Sequence, residues 1–129
     1  MTEEGRREAA GEELARAREE LTAATRLLEI EMPRVAMTRI YFACFHAVRA
    51  LLYREDLAPR SHGGVLQLFN LHFVKTGRYE PAAAHLVARL QKYRQEADYA
   101  TGFVVDEAVA REELAIAGSF VERIARESG

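Results

Sequence analysis

Ile40-Tyr-Phe-Ala-Cys-Phe45 is an unbroken apolar run inside the segment Pro33–Glu55, and its reading decides the fold. Pro33 fits the first turn of a helix, where its missing N–H leaves no bond unmade, and the segment continues helical to about Glu55. A helix that is apolar on several faces must be covered on several sides, by neighbouring helices or by another subunit. Pro33–Glu55 is therefore expected to be a central helix, and the rest of the chain is expected to supply its cover.

The flanking segments carry the matching pattern. On the N-terminal side Leu14, Ala17, Leu21, Ala24 and Leu28 alternate spacings of three and four, which predicts an amphipathic helix from about Glu8 to Glu31 with Glu and Arg outside. On the C-terminal side Asp56-Leu-Ala-Pro-Arg60 breaks the central helix. Ser61 is a good N-cap for a shorter third helix through Val65, Leu66, Leu68, Phe69 and Phe73, closed by the turn Lys75-Thr-Gly77. Pro81 opens a fourth helix to about Ala97, with Leu86, Leu90, Tyr93 and Ala97 on one face. After a loop with Gly102, Asp106 caps a fifth helix whose stripe is Val109, Ile116, Ala117, Phe120 and Ile124. There is neither strand alternation nor an internal repeat. Short connections between long amphipathic helices predict one all-α domain over residues 1–129, an antiparallel up-down bundle of four long helices and one short one. The surplus apolar surface of the central helix also predicts a homodimer.

Composition narrows the function classes. The chain has 129 residues, 49% hydrophobic and 29% charged, enough to bury a core without disulfides. Its single cysteine, Cys44, sits in the apolar run and is read as a small core residue in a reducing cytosol. The charged N-terminus lacks the apolar stretch of a signal peptide, and no uncharged stretch is long enough to span a bilayer, so no membrane association is expected. The formal charge of −2 is unevenly spread. Residues 32–99 carry ten basic against five acidic groups and all four histidines, whereas residues 1–31 carry five against nine. This marks either a phosphate-facing surface or pairing between acidic outer and basic inner helices.

Three groups of residues can carry chemistry. Arg39, His46 and Arg49 cross the apolar central helix as a polar strip and, with two readings open, either pair with acidic residues of the outer helices or hold a phosphate. Ser61-His62-Gly63-Gly64 puts an imidazole and two bare amides at a helix start, where capping and anion binding both fit. Arg94-Gln-Glu-Ala-Asp98-Tyr99 gathers a guanidinium, two carboxylates and a phenol, with Arg94 and Asp98 at i,i+4. Lys75 lies too far downstream for a P-loop. No metal-ligand pattern or nucleophile elbow occurs, and neither metal nor cofactor is expected.

Three blocks together, Arg39-IYFACFHAVRALL-Tyr53, Ser61-HGGVLQLFNLHFVKT-Gly77 and Arg94-QEADYATGFVVDEAV-Ala110, resemble the small stand-alone HEPN-domain proteins. The resemblance implies a HEPN-type helical bundle, usually dimeric, often paired with a minimal nucleotidyltransferase in toxin–antitoxin or other nucleic-acid-related systems. Many HEPN domains are metal-independent ribonucleases that use an Arg, four to six intervening residues and a His, assembled across a dimer interface. Here the equivalent position begins at Arg94 and has Tyr99 where the His would be. A His near pKa ~6.5 accepts a proton at neutral pH, and a Tyr near ~10 does not without a large shift. The resemblance therefore implies a partner protein that binds a nucleotidyltransferase, with RNA or nucleotide phosphate held by Arg94 and neighbouring groups, and the residue pattern adds Arg39, His46, Arg49 and His62 as candidate phosphate-binding residues. The alternatives are an endoribonuclease toxin, with Arg94, Tyr99 and Asp98 as catalytic group, and a non-catalytic structural dimerisation module.

Overall fold

The computed structural model describes residues 1–99, 102 and 104–128, and of Ser128 the backbone only. Five α-helices run α1 Glu3–Glu29, α2 Pro33–Arg54, α3 His62–Phe69, α4 Pro81–Tyr99 and α5 Glu107–Ser128, with a π-helical turn Asn70–Val74 continuing α3. No strand occurs among the described residues. The fold is the expected all-α HEPN-like bundle, up and down, with four long helices and one short.

Local chemistry sets the helix ends. α1 begins five residues before the expected Glu8, because the Thr2 hydroxyl accepts the Gly5 N–H at 2.9 Å and Glu3 and Glu4 sit at the positive end of the helix dipole. Ser61 Oγ accepts the Gly64 N–H at 2.9 Å and starts α3. A Cβ on Gly64 would lie 2.9 Å from that oxygen and 3.3 Å from Pro59 Cβ, so this close approach needs glycine. Asp106 Oδ1 accepts the Ala108 N–H at 2.8 Å at the start of α5. The π-turn, closed by Lys75 N–H to Asn70 C=O at 2.8 Å, inserts an extra residue and leaves both Phe69 and Phe73 fully buried.

α2 is the axis of the molecule. It packs against α1 along its length and also against α3, α4 and α5, and α5 closes on α1, while among the described residues α4 and α5 do not pack closely on each other. Met37, Ile40, Tyr41, Cys44, Val48 and Leu52 are all fully buried. One chain thus covers the apolar faces of α2, so the sequence argument that a second copy is needed for this purpose does not hold. By length and composition α2 is also apolar enough to cross a membrane, with mean hydropathy 1.3, where no such stretch was expected. Its apolar window is 67% buried inside the bundle, which accounts for that composition.

The α5 stripe is shifted from the expected one. Ile116 is 40% exposed and Val109 half-buried, whereas Ala110, Glu113, Ala117, Phe120, Val121 and Ile124 face inward. Small alanines allow close approach to α2, and the buried Glu113 carboxylate accepts Arg89 Nε–H at 2.7 Å and Nη2–H at 2.8 Å. This forked pair bridges α4 and α5.

Cys44 is fully buried, and burial, followed by the nearby Glu113 carboxylate, pushes its thiol well above the usual range. We expect a thiol-specific disulfide reagent at pH 8 to leave Cys44 unmodified in the folded protein and to label it fully in guanidinium chloride. Rapid labelling of the native state would show that the α2 core opens.

Candidate functional site

Successive turns of α2 carry aromatic and cationic side chains at i,i+4: Tyr41 and Phe45, Phe42 and His46, Phe45 and Arg49, Arg49 and Tyr53. The rings of Tyr41, Phe42 and Phe45 lie 5.2 to 6.1 Å apart and make a continuous platform. His62, at the first position of α3, stacks on Phe45 at 4.2 Å, and Tyr41 Oη and His62 Nδ1 are 2.7 Å apart. Arg94, from α4, lies over Phe42 at 5.3 Å and Tyr41 at 5.8 Å. Arg49 lies over Phe45 at 5.6 Å and Tyr53 at 5.2 Å, and its Nη2–H donates to Tyr53 Oη. Three separate helices thereby deliver His62, Arg49 and Arg94 to one aromatic surface.

The two guanidiniums are incompletely satisfied. Buried Nε–H groups of Arg49 and Arg94 have no hydrogen-bond acceptor. Arg94 Nε is 3.3 Å from Asp98 Oδ2, an ion pair whose alignment does not make a hydrogen bond, and Asp98 Oδ1 accepts instead from Thr38 Oγ1 at 3.2 Å. Arg94 and Asp98 are 22% and 32% exposed, so this pair is half-sheltered. Orphaned buried donors are uncommon in proteins and invite an acceptor from outside. The field has the matching sign. Desolvation by burial, and then the charges of Arg94, Arg49 and His46, hold the pKa of His62 below its ordinary value. The part of this shift that comes from the cationic neighbours, unlike the part due to burial, also favours an anion.

The Tyr41–His62 bond also bears on the tautomer. Tyr41 is fully buried, and burial pushes its phenol up to about 12, so it remains protonated. His62 Nδ1 is the one partner of this hydroxyl among the described residues. If Nδ1 carried the proton, the phenolic hydrogen would be buried without an acceptor. The arrangement that satisfies both groups has Tyr41 O–H donating to Nδ1, which leaves a hydrogen on Nε2. In that tautomer His62 is a neutral N–H donor.

The remaining residues of the polar strip are engaged within the bundle. Arg39 Nη1–H donates to both carboxylate oxygens of Glu20, at 2.9 and 3.1 Å, and its guanidinium lies over Phe42 at 5.2 Å. His46 Nδ1 is 2.7 Å from Glu13 Oε2, and Arg49 Nη1 is 3.7 Å from Glu13 Oε1. The strip therefore divides: Arg49 reaches the surface shared with His62 and Arg94, while Arg39 and His46 pair with acidic residues of α1. Tyr99 lies apart. Five residues of helix turn it about 140° from Arg94, it is 79% exposed, and it lines an open concavity with Lys92, Gln95 and Glu96. Asp98 at i+4 remains beside Arg94. Among the described residues no group of three or more His, Cys, Asp and Glu side chains gathers to hold a metal ion.

The sequence has known relatives. The HEPN domain matches residues 10–127. The chain belongs to the HEPN family. A Methanocaldococcus jannaschii protein named "Putative toxin" is 37% identical over 108 residues, covering 84% of this chain and 80% of that protein. A second protein of that organism with the same style of name is 34% identical over 86 residues, 67% of this chain and 58% of its own. A Thermotoga maritima protein named as UPF0332 is 36% identical over 109 residues, 84% of this chain and 83% of that one.

Sequence reasoning about this HEPN chain missed Tyr41, Phe42, Phe45, Glu13 and Thr38, which it read as core or left aside. The available signal was the i,i+4 alternation of aromatic with cationic residues along α2, which a buried core helix does not require.

The depressed His62 pKa has a consequence for stability. The unfolded imidazole, near pKa ~6.5, binds a proton more readily than the folded one, so stability falls as pH drops through about 6.5 toward the lower folded value. Glu80 and Glu122, whose carboxyls are held below the ordinary carboxylate range by hydrogen bonds from Arg123 and Arg18, respond at lower pH. We expect urea midpoints to fall between pH 7 and pH 5.5 and this fall to shrink in His62→Asn. An equal fall in both proteins would remove His62 from the explanation.

Proposed function

We propose that this HEPN protein is a toxin–antitoxin-type module that grips a phosphate of RNA or nucleotide between Arg94, Arg49 and the Nε2–H of His62, with a minimal nucleotidyltransferase as its partner protein. The observation that carries the reading is the pair of buried, acceptorless guanidinium Nε–H groups beside His62. A phosphate oxygen supplies the acceptors they lack, and guanidinium forks suit phosphate geometry. The relatives named as toxins favour the toxin–antitoxin setting, and the nucleotidyltransferase follows from the family resemblance. A homodimer belongs to the same proposal, on that resemblance.

The step from binding to cleavage needs a proton acceptor. With Tyr41 donating to Nδ1, Nε2 of His62 is already protonated, so the bound phosphodiester is held and polarised, and cleavage is slow. A second reading, an endoribonuclease, is favoured by the low pKa of His62 next to Arg94. It requires the other tautomer, in which Nδ1–H donates to Tyr41 Oη and Nε2 removes the 2′-hydroxyl proton. The 2′-oxygen then attacks phosphorus, the bond to the 5′-oxygen breaks and that oxygen takes a proton from water, and a 2′,3′-cyclic phosphate remains.

Purified protein incubated with end-labelled RNA in EDTA tests both readings. The first gives retention of RNA with little cleavage, weakened by Arg94→Ala and by Arg49→Ala but not by Tyr99→Phe. Fast cleavage abolished by His62→Ala gives the second. Retention unaffected by Arg94→Ala and Arg49→Ala overturns the site.

A further inference from the structure

We infer that the cavity between α1 and α2 is a guanine-binding subsite for the nucleotide whose phosphate the Arg94–His62 surface holds, an inference that rests on the phosphate reading above. The cavity has a volume of about 440 Å³ and is lined by Arg16, Glu19, Glu20, Arg39, Phe42 and His46. That volume is within the range of small-ligand sites and admits a nucleoside.

Its position is set by Phe42. This ring is shared: Arg94 lies 5.3 Å and the His62 ring 5.8 Å from it, while Arg39 lies 5.2 Å and the His46 ring 6.2 Å from it. Arg94 and His62 belong to the phosphate surface, and Arg39 and His46 line the cavity. A nucleotide seated with its phosphate on the first pair is next to the second, because both pairs adjoin the same aromatic ring. The Arg39 guanidinium, fixed over the Phe42 ring by Glu20, offers a flat face of the kind on which single-stranded bases stack.

The polar lining selects the base. Arg39 and Glu20 satisfy each other, and His46 is bonded to Glu13. Among the described residues Arg16 and Glu19, three apart on α1, have neither a hydrogen bond nor an ion pair, and both are exposed to the cavity. The free groups are thus one carboxylate and one guanidinium. Guanine alone presents two adjacent donors, N1–H and the N2 amino group, to a carboxylate, together with two adjacent acceptors, O6 and N7, to a guanidinium. Adenine and cytosine offer one exocyclic amino group to the carboxylate. Uracil flanks its single N3–H with carbonyls that a carboxylate repels.

The experiment is calorimetric titration of the full chain with guanosine, adenosine, cytidine and uridine 3′-monophosphates, and with inorganic phosphate as competitor. Guanosine 3′-monophosphate is expected to bind about tenfold or more tightly than the other three, a difference of the size that one bidentate base contact gives. Phosphate is expected to compete with all four. Glu19→Gln is expected to bring guanosine down to the level of the others, since an amide cannot accept both donors. Four nucleotides binding within about twofold of one another, with phosphate still competing, overturns the guanine subsite and leaves the phosphate surface standing. A guanosine preference that survives Glu19→Gln overturns the assignment of Glu19. Absence of binding by phosphate and by every nucleotide overturns both the phosphate reading and this one.

Discussion

Arg94→Ala is expected to weaken binding of inorganic phosphate or RNA roughly 10- to 100-fold, the range for removing one charge-assisted contact worth about 1.5–3 kcal/mol. The same variant leaves the helix intact, because alanine is a strong helix former and Asp98 keeps its bond from Thr38. Circular dichroism separates loss of binding from loss of fold. Arg94→Lys makes the sharper comparison. It keeps the charge but loses the Nε–H and the planar fork, so it should bind more weakly than the parent and more tightly than Arg94→Ala. Equal affinity in all three proteins would show that Arg94 serves only the packing over Tyr41 and Phe42.

Glu13→Ala should destabilise the protein by about 3 kcal/mol, the low end for breaking a buried ion pair. Glu13 is 7% exposed, and its carboxylate lies between His46 Nδ1 and Arg49 Nη1. Removing it leaves two cationic or potentially cationic groups half-buried together, at 13% and 26% side-chain exposure. Because Arg49 retains partial access to water, the figure stays near the bottom of the range. Glu13→Gln, which keeps an acceptor oxygen, should lose less. Urea unfolding measures both, and a loss below about 0.5 kcal/mol for the alanine variant would show that water, rather than Glu13, already screens the pair.

The fold was legible because periodicity alone carries it. Pro33, Ser61, Pro81 and Asp106 each stand at or beside a helix start, and the unbroken apolar run of α2 correctly marks the central helix. What the run could not reveal is how completely α1, α3, α4 and α5 of one chain cover it, since small residues such as Ala17, Ala24 and Ala117 permit approach that a list of large apolar residues underrates. The same bias misplaced the α5 stripe toward Ile116 and away from Ala110 and the paired Glu113.

The site was legible in its parts and not in its assembly. Arg94, Asp98, Arg49 and His62 were all marked from local chemistry, but linear spacing tied Arg94 to Tyr99, and a helix turns those two residues onto different faces. The imidazole beside Arg94 comes instead from a residue 32 positions upstream, at the start of α3. Only the packing of α3 and α4 against α2 brings them together, and no motif encodes that distance. Arg39 and His46 carried the right residue types for phosphate, yet the acidic composition of α1 already held their partners, Glu20 and Glu13.

The most direct test of the phosphate surface is nitrogen NMR of side chains in the labelled protein at pH 7, titrated with inorganic phosphate. The expected result is His62 as the neutral tautomer protonated on Nε2, with its resonance and the Nε–H resonances of Arg94 and Arg49 moving together along one saturable curve. Phosphate that moves none of these three signals, or a His62 that is charged at pH 7, would contradict the account.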